Sequence, residues 1–180
     1  MHMIIVITRP DFFAGEAKRI TALLTSGKAD LIHIRKPQSN QYEVEQLLCD
    51  LPAVLYPRLV LHDHHPLAMR YGLRGVHLNS RNPNPPAGWT GAVSISCHTL
   101  DELAEARKQS YAYMSLSPIF DSISKQGYHS AFTREQIEEA RLQGLIDERV
   151  MALGGVTFSK IEKIKQMGFG GAMILGDAWK

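Results

Sequence analysis

VMALGGVTFSKIEKIKQMGFGGAMILGD, residues 150 to 177, decides how the rest of the chain is read. Two short apolar runs, VMALGG (150 to 155) and GAMILGD (171 to 177), each break at glycine, and the helical pattern Phe158 to Met167 lies between them. A strand, a crossover helix and a second strand of this kind predict a βαβ unit, the building block of a parallel sheet. Working outward, six further runs rich in Ile, Val and Leu share the character: MIIVIT (3 to 8), DLIHIRK (30 to 36), RLVLHD (58 to 63), GVHLN (75 to 79), AVSISCH (92 to 98) and YAYMSLSP (111 to 118). Helical patterns separate them at Ala14 to Ser26, Tyr42 to Leu51, Leu100 to Gln109 and Arg134 to Gln143. Thr99 with Glu102, and Thr133 with Gln136, read as capping boxes. After Asn79 the connection holds Pro83, Pro85 and Pro86 and reads as a loop.

Eight strands with intervening helices predict a (β/α)8 TIM barrel in one domain spanning residues 1 to 180, with an open doubly wound sheet as the competing architecture. The chain is shorter than the roughly 200 residues at the lower end of that fold and stops soon after the eighth run, so the closing helix is expected to be absent or supplied by a partner chain. The charge is +2 at pH 7, and the twenty Lys and Arg are dispersed, which argues against nucleic acid as a partner. No apolar run approaches the roughly 18 residues of a membrane helix, so no membrane partner is expected. Two cysteines, Cys49 and Cys97, and no secretory pattern predict free thiols in the cytoplasm.

Ligands of parallel α/β folds meet the C-terminal ends of the strands, and the unusual polar residues gather there. By strand alternation His33 shares a face with Arg35, His77 with Asn79, and Ser94 and Ser96 with His98. Arg35 can fork onto a phosphate or carboxylate, or form a surface ion pair. The loop SPIFDSISKQGYHS offers Ser122, Ser124 and Lys125 to an oxyanion, and Gly154, Gly155, Leu175 and Gly176 supply backbone N–H groups after the last two strands. His98, before a capped helix, is a candidate proton carrier or a backbone partner. LHDHH (61 to 65) looks like a metal motif, and His33, His62, His77 and His98 could converge at strand ends on a transition metal.

HIRK, GVHL, SISCHTLDEL, the pair SPIF with SISK, and ALGGVTFSKIEKIKQMGFGGAMI together resemble the thiamine phosphate synthase and TenI (thiazole tautomerase) family along nearly the whole chain. The resemblance implies a (β/α)8 fold, often dimeric, that binds a phosphorylated thiazole. The synthase joins an aminopyrimidine pyrophosphate to thiazole phosphate with Mg2+ assistance and releases pyrophosphate. The tautomerase shifts a proton on thiazole carboxylate phosphate without a metal.

The resemblance places the thiazole phosphate at Ser122, Ser124, Gly154, Gly155, Leu175 and Gly176, with Arg35 on the carboxylate and His98 as the catalytic proton shuttle. In a synthase, His33, Arg35, His62, Ser96 and Lys125 would meet the pyrimidine pyrophosphate, and Asp63 with Asn82 would form the Mg2+ site. That half departs from the family pattern. The family's Gln-x-Arg-x-Lys reads His33, Arg35, Pro37; its Asn-Asp reads His62-Asp63; and its second metal aspartate falls at Asn82. Lys36 is one residue out of register and should face away from Arg35. Loss of a carboxylate and a lysine weakens stabilisation of a leaving pyrophosphate. The residues alone therefore favour the tautomerase, with no cofactor, over the synthase, with Mg2+, and over a non-catalytic sensor of the thiazole phosphate.

Overall fold

The computed structural model describes residues 2–121 and 130–180. Eight strands follow one another in a closed barrel in chain order: β1 (Met3–Ile7), β2 (Leu31–Ile34), β3 (Leu59–Leu61), β4 (Gly75–Leu78), β5 (Ala92–Cys97), β6 (Tyr113–Leu116), β7 (Val150–Ala152) and β8 (Gly171–Ile174). The parallel TIM-barrel expectation is met, and the open sheet is excluded. Among the described residues, six α-helices alternate with the strands: α1 (Glu16–Thr25), α2 (Gln41–Cys49), α3 (Pro66–Tyr71), α4 (Leu100–Ala106), α5 (Arg134–Leu142) and α6 (Ile161–Gln166). The proline-rich connection between β4 and β5 carries no helix, as expected. After β8 comes a 3-10 turn, Gly176–Trp179, and no α-helix follows it among the described residues.

The chain packs as two compact units, Ile5–Val93 and the residues up to Ile4 with Ser94–Lys180. In the first unit, β1, β2, β3 and β4 run parallel in register, with Ile7 beside His33, His33 beside Val60, and Leu61 beside Val76. Helix α1 lays Ile20, Leu23 and Leu24 into the core, and α2 does the same with Val44, Leu47 and Leu48. Asn40 starts α2 with a reciprocal capping box to Glu43, a signal the sequence carries as plainly as the two named above. Arg58 ties down the strand bases, donating to the carbonyls of Leu24, Ala29 and Asp30 at 2.8, 2.6 and 2.9 Å.

The second unit holds β5 to β8, with Ser96 beside Ser115 and Leu116 beside Ala152. Thr133 and Gln136 form the expected capping box of α5. At α4 only half of the expectation is met. Thr99 accepts the Glu102 N–H at 3.0 Å, but the Glu102 carboxylate turns to the N–H of His98 at 2.6 Å, one residue beyond the reciprocal partner of a capping box. Phe158 to Met167 begins as a 3-10 turn, Phe158–Lys160, before α6.

In both units most of the named polar residues that the structure describes fall in the C-terminal half of a strand or just beyond it. His33, His77, Ser94 and Ser96 sit within the strands, while Arg35, His62, Asp63, Asn79 and His98 lie just past them, because the strands are shorter than the apolar runs.

Candidate active site

In the first unit, His33 on β2, His62 just after β3 and His77 on β4 meet in the interior, 0%, 5% and 0% exposed. His33 Nδ1 lies 2.8 Å from His62 Nε2, and the His62 and His77 rings stack with centroids 4.3 Å apart. Burial holds His33 and His62 well below the usual imidazole range. His77 deepens the effect at both, and Arg35 and Arg81 add to it at His62. Burial pushes His77 down to about 3. Burial thus favours the neutral form of all three rings.

Asp63, next along the chain, is buried and accepts hydrogen bonds at both oxygens. Oδ2 receives the Lys36 N–H at 3.2 Å. Oδ1 receives Arg81 Nε and Nη2 at 3.1 and 3.0 Å, and Asn82 Nδ2 at 3.3 Å. Asn82 and Asn79 both donate to the His62 carbonyl, at 3.0 and 3.1 Å, and so position the turn that carries Asp63.

Arg35 is half-buried, and among the described residues its guanidinium has no hydrogen-bond partner. Burial and nearby Arg81 both lower its pKa, opposed by Asp63. Two guanidinium groups thus stand beside one carboxylate, an arrangement that suits an anion.

The Mg2+ site expected at Asp63 and Asn82 does not fit these residues. A hard dication asks for several oxygen ligands, usually anionic. The one carboxylate here is already paired with Arg81, and the amide at Asn82 directs its N–H toward the same oxygen.

Lys36 faces away from Arg35, as strand alternation requires. Its ammonium is buried against Glu16 Oε1 at 2.6 Å and the carbonyls of Arg9 and Asp11 at 2.9 and 2.8 Å. It braces the β1–α1 loop and does not replace the lysine missing from the family pattern.

In the second unit, His98 is exposed after β5, and its Nδ1 lies 3.2 Å from Ser117 Oγ beyond β6. Ser96 is half-buried on β5. Gly154 and Gly155 have φ of +91° and +61°, which glycine adopts without strain. A Cβ at Gly154 would lie 2.7 Å from Pro118 Cα, and one at Gly155 would strike the Phe120 and Asp121 carbonyls, so the β7 turn packs closely on the segment after β6. Leu175 and Gly176 lead from β8 into the terminal 3-10 turn. Ser122, Ser124 and Lys125 lie outside the described residues.

Two groups escaped the sequence reading. Arg81 was hidden because its partner Asp63 is 18 residues away and a proline-rich loop has no periodicity from which to place a side chain. Asp177 Oδ2 accepts the Phe158 N–H at 3.0 Å, an acidic cap on the turn where backbone donors for phosphate were expected. Its place directly after Gly176 was the available signal.

A closed parallel barrel defines a TIM-barrel protein, and its polar groups gather at the strand ends where enzymes of that fold carry their sites. The model of the family described as thiamine monophosphate synthase matches residues 3–176, and the chain belongs to that family of enzymes. It is 27% identical over 150 residues to the thiamine-phosphate synthase of Halalkalibacterium halodurans, covering 79% of this chain and 70% of that one. With the corresponding protein of Dictyoglomus turgidum it shares 28% over 139 residues, covering 74% and 61%. The crystal structure of thiamine phosphate pyrophosphorylase from Bacteroides thetaiotaomicron superposes with a TM-score of 0.87 at 42% identity, covering 99% of this chain and 85% of that one. Among the described residues, no helix is long and apolar enough to cross a membrane.

Proposed function

We propose that the chain is a thiamine-phosphate synthase whose pyrophosphate half works through arginine in place of a carboxylate-held metal. The observation that carries this reading is the guanidinium of Arg35, without a hydrogen-bond partner among the described residues, beside Arg81. As the bond between the aminopyrimidine and its pyrophosphate breaks, negative charge grows on the leaving oxygens, and preorganised cations lower the barrier most where charge develops. Arg35 and Arg81 offer two such cations against the single charge of Asp63. The residues alone favour the proton shift, because a carboxylate and a lysine of the family pattern are missing. Arg81 returns a cation to that half, and the relatives named above are synthases or pyrophosphorylases. Gly154, Gly155, Leu175 and Gly176 would hold the thiazole phosphate through backbone N–H groups.

A specific observation favours the tautomerase as the second reading. His98 is exposed, and its Nδ1 lies 3.2 Å from Ser117 Oγ, a pair able to hold and pass a proton. One preparation tests both. Supplied with aminopyrimidine pyrophosphate and thiazole phosphate, the protein should release pyrophosphate and form thiamine phosphate in equal amounts, read by phosphorus NMR and chromatography. Interconversion of the thiazole carboxylate phosphate isomers without pyrophosphate release, abolished by His98→Ala, would replace the first reading with the second. Binding of thiazole phosphate with neither reaction would point to a sensor.

A further inference from the structure

We propose that His33, His62 and His77 form a binding site for a first-row transition-metal dication, with Zn2+ the best match. One ligand nitrogen from each ring lies within 4.8 Å of the other two. Tetrahedral zinc with Zn–N bonds of about 2.0–2.1 Å separates its ligand nitrogens by about 3.4 Å. The His33 and His62 nitrogens are already 2.8 Å apart. That pair would open by about 0.6 Å and the wider gaps would close by up to about 1.4 Å, movements within reach of small χ1 and χ2 rotations of histidine.

The backbone places the three residues on or just past neighbouring strands. Parallel pairing aligns Leu61 with Val76 and Ile34 with Leu61, and the His62 N–H donates to the Ile34 carbonyl at 3.0 Å. The three side chains therefore leave neighbouring strands close together in the interior. Three imidazoles buried together bring polar nitrogens to the interior that a Leu or Val would not. Burial favours the neutral ring, and the neutral ring is the form that ligates a metal. An all-imidazole set with no thiolate suits Zn2+, Ni2+ or Co2+ and is a poor match for Mg2+.

Three neutral ligands leave the metal's charge uncompensated, and the charges of Arg35 and Arg81 reach His62. A fourth ligand should therefore be anionic, such as hydroxide or a phosphate oxygen. Asp63 is not needed, because Arg81 and Asn82 hold its Oδ1. The site stands independently of the synthase reading, and its test uses the metal alone.

Protein stripped with a chelator is titrated with Co2+, and then with Zn2+ against a chromophoric competitor. One equivalent of Co2+ should give the intense visible bands of a four-coordinate site, and one equivalent of Zn2+ should bleach them. His62→Asn and His77→Asn, each checked for a native circular dichroism spectrum, should weaken binding by at least about 100-fold, beyond what loss of a supporting contact costs. His64→Asn should bind as the parent does. Should either variant fail to fold, the Co2+ spectrum of the parent protein decides. Absence of a stoichiometric four-coordinate spectrum, or affinity unmoved in the folded variants, overturns the proposal.

Discussion

Arg35 and Arg81 set the sign of the charge that the first unit offers a ligand. Arg81 could not be found by matching family positions, because it fills a role no motif assigns and reaches Asp63 only through the path of a loop. Arg35→Ala should weaken inorganic pyrophosphate binding by roughly 10- to 100-fold, the loss of about 1.5–3 kcal/mol expected when a hydrogen bond to a charged group is removed. Calorimetric titration checks it. The thiols give a second residue-scale prediction. Burial, assisted by Glu102, pushes Cys97 up to about 11, whereas Cys49 is exposed. Since the thiolate is the nucleophile, iodoacetamide at neutral pH should label Cys49 and leave Cys97 unmodified in the folded protein, as peptide mass spectrometry would show.

At the scale of elements, apolar runs located every strand, and their ends were misjudged in one direction. The runs continue into polar residues such as Arg35 and Asp63, where the ladder has already stopped. Lys36 shows both how far alternation reaches and where it ends. Period-two alternation turned it away from Arg35, but nothing local could name Glu16 as its partner, because that contact depends on how the β1–α1 loop folds back. Lys36→Met should destabilise the protein by about 3–5 kcal/mol in urea unfolding, because it strands a buried carboxylate. Adding Glu16→Leu should recover much of the loss.

The link between α4 and the turn before β7 predicts a pH effect. Burial alone would raise the Asp147 pKa. The Arg107 hydrogen bond at 2.7 Å and the Arg149 N–H outweigh burial and hold it below its ordinary value of 3.8. The folded state therefore binds fewer protons than the unfolded one. The contribution is complete above that value and is lost as pH falls through the lowered folded pKa. Thermal melts of Asp147→Asn should show a shallower loss of stability below about pH 4 than the parent.

For the whole molecule, the barrel was legible because strand and helix alternate regularly enough to admit few topologies. The ligand half that departs most from the family pattern was legible only as losses. The gain of Arg81 required a loop to bring together side chains 18 residues apart, whereas the meeting of histidines was legible at the strand ends, and the group that forms holds His33, His62 and His77 of the four candidates. A homodimer, implied by the resemblance, predicts sedimentation at twice the chain mass. The central claim is that paired arginines, in place of a carboxylate-held metal, receive the pyrophosphate group. Its most direct test is the binding of inorganic pyrophosphate to the parent protein and to Arg81→Ala, in EDTA and then with Mg2+. The parent should bind in EDTA with an affinity that Mg2+ does not increase. Arg81→Ala, with Asp63 released, should bind weakly in EDTA and recover in part with Mg2+. Parent binding that appears only with Mg2+, or is unchanged by Arg81→Ala, would contradict the account.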